Sequence, residues 1–99
     1  MIRFTRTACI AAGKLADALA FAGKIAQHIK STTGVPVEVM MPVGGNPMRI
    51  VWTGTYDSLA AMEAQQAKLM ADKAYLKLLG GAGPLFLGGA THDDVWRSV

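Results

Sequence analysis

At 99 residues the chain is long enough for one domain, which buries roughly 60–70% of its extended surface on folding. Only 17% of its residues are charged, against about 25% in an average soluble domain, while 52% are hydrophobic, an excess that suits surface destined for an interface. The net charge of +3 comes from ten basic residues spread over the whole chain without a run or interleaved aromatics, which argues against nucleic acid as a partner.

The lone Cys9 rules out an internal disulfide and fits a reducing cytoplasm, the expected compartment. Residues 8–22 carry the apolar character of a signal core, but Lys14 and Asp17 interrupt it. No stretch approaches the roughly 20 apolar residues of a membrane span, so no membrane partner is expected.

Residues 2–10 read as a strand, with Ile2, Phe4 and Ala8 on one face and Arg3, Thr5 and Thr7 on the other. Arg6 falls on the apolar face and breaks the pattern. After Gly13, Leu15, Leu19, Ala22, Ala26 and Ile29 recur at helical spacing, with Ala18 and Ile25 at the edge of the stripe. Lys14, Asp17, Lys24 and His28 fill the opposite sector, and Phe21 lies among them. Gly34 is the natural left-handed cap.

A hairpin follows, Val35–Val43 and Met48–Tyr56 around the turn residues Gly44, Gly45, Asn46 and Pro47. Counting outward from a four-residue loop pairs Val43 with Met48, Met41 with Ile50, Val39 with Trp52 and Glu38 with Thr53. Val37, Val39, Met41, Met48, Ile50, Trp52 and Tyr56 then share an apolar face. Glu38, Met40, Arg49, Val51, Thr53 and Thr55 share a mixed one.

Asp57 or Ser58 caps a second helix with Leu59, Met62, Leu69 and Met70 as its stripe and Gln66 inside it. Asp72 is placed to cap a further short segment, Lys73–Leu79, which Gly80–Pro84 stops. Leu85–Gly89 is an apolar connection and Asp94–Val99 the last strand.

This order, βαββαβ, predicts an α+β fold of the ferredoxin-like kind: a four-stranded antiparallel sheet with two helices on one face. The helical stripes need the apolar face. The mixed face, with Arg3, Thr5 and Thr7, is expected to meet a partner subunit, so a homodimer is predicted.

Several pieces carry a resemblance. They are Arg6 on an early strand, Ala12-Gly13-Lys14 opening the first helix, and Arg49-Ile-Val-Trp52 on the third strand. To these add Tyr56-Asp57-Ser58-Leu59 and the Asp72-x-x-Tyr75 break. In these the chain resembles the dimeric α/β barrel superfamily, and within it the NIPSNAP-like proteins most, over residues 1–99. The resemblance implies two ferredoxin-like subunits packed sheet to sheet, with a small organic ligand or heme often held in the barrel. The heme-degrading members rely on an Asn on the first strand and on Trp and His in helices. This first strand has no Asn, the second helix has neither His nor Trp, and His28 lies on a polar helix face. No cofactor, heme included, is therefore expected.

No residue stands out as catalytic. Glu38 is the most interesting carboxylate, since mid-strand burial at an interface would require a cation or hydrogen-bond donors. Thr53 lies opposite it, and Arg3, Arg6 or a partner's arginine could supply the charge. Arg49 sits about 13 Å from Thr53 along its strand and cannot pair with Glu38 in this register. His92, in His92-Asp93-Asp94, is a candidate base at a barrel mouth or simply a turn residue; one His with two carboxylates is too few ligands to argue for a metal. The ligand-binding candidates are thus Glu38, Thr53, Arg3, Arg6, Arg49 and His92. Cys9 has no basic cluster to stabilise a thiolate, and Gly80–Gly83 lacks the lysine and strand-to-helix setting of a phosphate loop.

The reading is a small-molecule-binding dimeric barrel, with a cofactor-independent oxygenase or isomerase as its sharpest form. The alternative is an interaction or structural dimer without chemistry. An RNA-recognition domain shares the element order, but Met48–Tyr56 lacks its paired stacking aromatics.

Overall fold

The computed structural model describes all residues, Met1–Val99. Its elements run β1 (Ile2–Cys9), α1 (Leu15–Thr33), β2 (Glu38–Met40), β3 (Arg49–Tyr56), α2 (Leu59–Met70), α3 (Lys73–Gly80) and β4 (His92–Arg97), with a 3-10 turn at Gly83–Leu85 before β4. The four strands form one sheet in the order β2-β3-β1-β4, antiparallel at every pairing. This is the expected α+β ferredoxin-like sheet, with the second helical crossover divided into α2 and α3, so the helical layer has three helices. No helix is long and apolar enough to cross a membrane.

Local chemistry sets the boundaries. Gly34 ends α1 in the left-handed region at φ 77°, its N–H donating to the Lys30 carbonyl. Ser58 caps α2 by accepting from the Ala61 N–H, and Asp72 caps α3 by accepting from the Tyr75 N–H at 2.9 Å. The 21 Å short dimension of the molecule has room for one sheet layer and one helical layer, so the second sheet face stays bare.

The hairpin register is as counted: Glu38 faces Thr53 and Val39 faces Trp52. The pairing stops at Met40, however, so Met41 and Val43 do not reach Ile50 and Met48 as ladder partners. The chain leaves the sheet there and Val43 is fully exposed. At the far end β4 begins two residues earlier than Asp94 and places Asp93 opposite Arg6. The Leu85–Leu87 connection also extends β1. Ala11 donates to the Leu85 carbonyl, Leu87 donates to the Cys9 carbonyl, and Ile10 bridges Phe86.

The apolar face does meet the helices, but α1 is rotated from the expected stripe. Its buried residues are Ala18, Ala22, Ile25 and Ala26, whereas Leu15 and Leu19 are 41% exposed. Small side chains let the helix approach closely, and Ala18 and Ala22 pack with Ala8, Ile10 and Ile50. The rotation brings Phe21 inward, where it meets Trp52 and Phe86 edge to face at 6.4 and 5.8 Å. It also half-buries His28, which lies 3.2 Å from the Asp72 carboxylate instead of standing in solvent. On α2 the buried positions are Met62 and Leu69, and Leu59 and Met70 are exposed.

Candidate functional site: a cleft between the sheet and the helices

Away from the alanine-packed end, sheet and helices part to leave a cleft of about 410 Å³ lined mainly by apolar residues. Its size is that of a small-molecule site. Register determines its floor. Asp93, Arg6 and Trp52 form one row across β4, β1 and β3, and Val95, Phe4 and Gly54 form the next. Gly54 leaves a notch in that floor because it has no side chain. The roof comes from α1 through Phe21, Ile25 and Ile29, and from α2 and α3 through Met62, Leu69 and Tyr75. Ile25, Leu69 and Tyr75 are buried against one another, which holds the roof together.

The polar end of the cleft is an ion pair. Arg6 donates from Nε and Nη2 to the two carboxylate oxygens of Asp93, at 2.7 and 2.8 Å. Its guanidinium carbon lies 5.7 Å from the centre of the Phe4 ring, within cation–π range. Arg6 holds the Asp93 carboxyl below its ordinary range by hydrogen bonding and charge. Reciprocally, Asp93 raises Arg6 further, against the opposing effect of burial. Burial pushes the Tyr56 phenol up, with a smaller contribution from Tyr75.

Of the six candidates named from the sequence, this cleft brings together Arg6 and Thr53. Thr53 borders it from the strand, while its parity is that of Glu38 and the open face. Glu38 is exposed on the edge strand and bonded to neither Arg3 nor Arg6. Of the arginines considered for Glu38, Arg6 is excluded because the two residues lie on opposite faces of the sheet. Arg3 is exposed on the open face. Arg49 turns back to its own loop, with Nε donating to the Asn46 carbonyl. His92 is exposed and 3.3 Å from Asp94, whose side chain shares its strand face. No three His, Cys, Asp or Glu side chains gather in a metal-binding cluster.

Sequence reasoning missed Asp93, Phe21 and Tyr75 as cleft residues. A signal for Asp93 was present: Arg6 stood alone on an apolar face, and a charge there needs an opposite charge of matching parity on a neighbouring strand.

No protein-family model matches the sequence, and no curated protein is recognisably similar to it. Solved structures are similar in fold. An uncharacterized NIPSNAP domain protein from Burkholderia xenovorans superposes with a TM-score of 0.84 at 20% identity, over 100% of this chain and 95% of that one. A NIPSNAP family protein of unknown function from Agrobacterium tumefaciens gives 0.83 at 23% identity, over 99% of this chain and 87% of that one. A candidate antibiotic biosynthesis monooxygenase from Deinococcus radiodurans gives 0.74 at 17% identity, over 100% and 93%. The chain thus has the α+β ferredoxin-like fold of the NIPSNAP domain structures, shared more distantly with the monooxygenase-like ones.

Proposed function

We propose that this protein binds a small, planar, largely apolar organic molecule in the cleft between its sheet and helices, as one half of a homodimer. The observation that carries the reading is the cleft's composition: aromatic and aliphatic walls converging on the single Arg6–Asp93 pair. An apolar pocket with a few convergent polar groups is the usual form of a small-molecule site. The open sheet face, with Trp96 60% exposed and Met40 44% exposed, supports the homodimer. Sheet-to-sheet packing would leave the cleft of each subunit on the outer, helical side.

The name of the Deinococcus neighbour suggests an oxygenase as the catalytic form of this reading. The residues favour binding over chemistry. Asp93, the carboxylate of the cleft, is held ionised by Arg6 and is correspondingly a weak base. A dimer without chemistry is the competing outcome.

Gly54 supplies the test. It is buried, and a Cβ added there would make ordinary contact at 3.7 Å with the Tyr56 hydroxyl, so Gly54→Ala fits the strand and the larger Gly54→Val fills the notch. A Trp96→Phe background leaves Trp52, in the cleft wall, as the sole tryptophan. Titration with a naphthalene derivative should quench Trp52 saturably, and Gly54→Val should abolish the quenching. Equal quenching in both proteins would overturn the reading.

A further inference from the structure

We infer that the Arg6–Asp93 pair sets the charge preference of the cleft, selecting a neutral aromatic carbonyl compound over the corresponding carboxylate. This rests on the cleft being the binding site.

Arg6 is the only cation among the residues lining the cleft, and alone it would invite an anion. Its charge is already matched. Asp93 engages both Nε and Nη2 in the bidentate geometry that suits a carboxylate best, and the row across β1 and β4 places the two residues directly opposite. A second carboxylate would have to displace Asp93 or sit beside it as a like charge. Either way two carboxylates compete for one guanidinium, a like-charge cost that is partly screened because Arg6 and Asp93 are 40% and 42% exposed at the mouth of the cleft. A carbonyl oxygen carries no such cost. The guanidinium has five N–H donors, two of which go to Asp93; the other three, one on Nη2 and two on Nη1, are left for a neutral acceptor beside the neighbouring Tyr75 hydroxyl. Phe21, Trp52 and Tyr75 offer aromatic surface to the rest of the molecule.

The probes are acetylnaphthalene and naphthoate, which share a ring system and differ in the charge of the head group. Each is titrated at neutral pH into the protein with Trp52 as its sole tryptophan. Acetylnaphthalene should bind at least tenfold more tightly than naphthoate. Hydrophobicity alone could produce that order, so the deciding readout is Asp93→Asn, which frees the Arg6 charge. It should shift the ratio of the two affinities by about tenfold or more toward naphthoate, the change expected for one charge-assisted contact. An unchanged ratio in Asp93→Asn overturns the inference and leaves the cleft as a binding site. So does naphthoate binding as tightly as acetylnaphthalene to the intact Arg6–Asp93 pair, a result that needs no substitution in the cleft. Failure of both probes to quench Trp52 overturns the inference together with the reading on which it rests.

Discussion

Trp52 donates its indole N–H to the backbone carbonyl of Ala22 at 3.3 Å, tying the middle of β3 to the middle of α1. Ala22 is fully buried, and its small side chain lets the indole reach the helix backbone. The same ring packs edge to face on Phe21 and Phe86, so one residue closes the cleft wall and joins the sheet to the helical layer. Trp52→Phe keeps much of the ring and loses the hydrogen bond, and should cost about 1 kcal/mol. Trp52→Ala should cost about 3 kcal/mol or more, since a large ring leaves a cavity behind. Urea unfolding followed by far-UV circular dichroism measures both, and equal effects would show that the hydrogen bond dominates.

The α3 cap predicts a pH dependence. Asp72 lies below its ordinary value of 3.8, chiefly because it accepts from the Tyr75 backbone N–H, with His28 and Thr32 adding hydrogen bonds. For a carboxyl depressed in the folded state, the unfolded chain binds more protons in the window between the two pKa values. Its contribution is therefore complete above about 3.8 and is lost as pH falls through the folded value. Asp72→Asn retains a capping oxygen without the ionisable charge. Urea midpoints measured from pH 5 down to about pH 2 should fall less steeply in this variant than in the unsubstituted protein. Parallel curves would show that Asp72 contributes nothing through its charge.

The local features were legible because local chemistry determines them. Gly34, Ser58 and Asp72 cap where their side chains, or lack of one, dictate, and the turn at Gly44–Pro47 was enough to place Glu38 opposite Thr53. The cleft was not legible, because it depends on how far apart the layers stand. Counting Leu15 and Leu19 as the centre of the α1 stripe puts Phe21 in solvent. The helix instead buries its alanines, since close approach at that end outweighs the larger side chains. Periodicity shows that a helix has an inner face and leaves its rotation open by one position. Here that position moved an aromatic from the surface into the site.

The open sheet face should be the dimer contact. Met40, Val51, Thr7 and His92 form a row across it, and Trp96 stands beyond on β4. Light scattering at low micromolar concentration should give twice the 10.4 kDa chain mass. Val51→Asp places a charge mid-face, with no loss from the helical core, and should yield a folded monomer. A monomer before substitution would refute the dimer, and a dimer that survives Val51→Asp would place its contact elsewhere.

Glu38 separates the two faces of the sheet through a single substitution. It lies on the mixed face beside Met40, paired with buried Thr53, whereas the cleft lies behind the strand on the Trp52 side. Glu38→Gln preserves shape and removes one charge from the edge of the proposed subunit contact. It should change the dimer dissociation constant by about two- to fivefold, the effect of one partly exposed charge. Binding of acetylnaphthalene in the cleft should be unchanged, because the sheet itself stands between the two. Sedimentation equilibrium with Trp96 intact and Trp52 quenching in the Trp96→Phe background provide the two readouts. If quenching falls while the dimer constant holds, Glu38 contributes to ligand binding through a route this arrangement does not contain, and the ligand site belongs between the subunits.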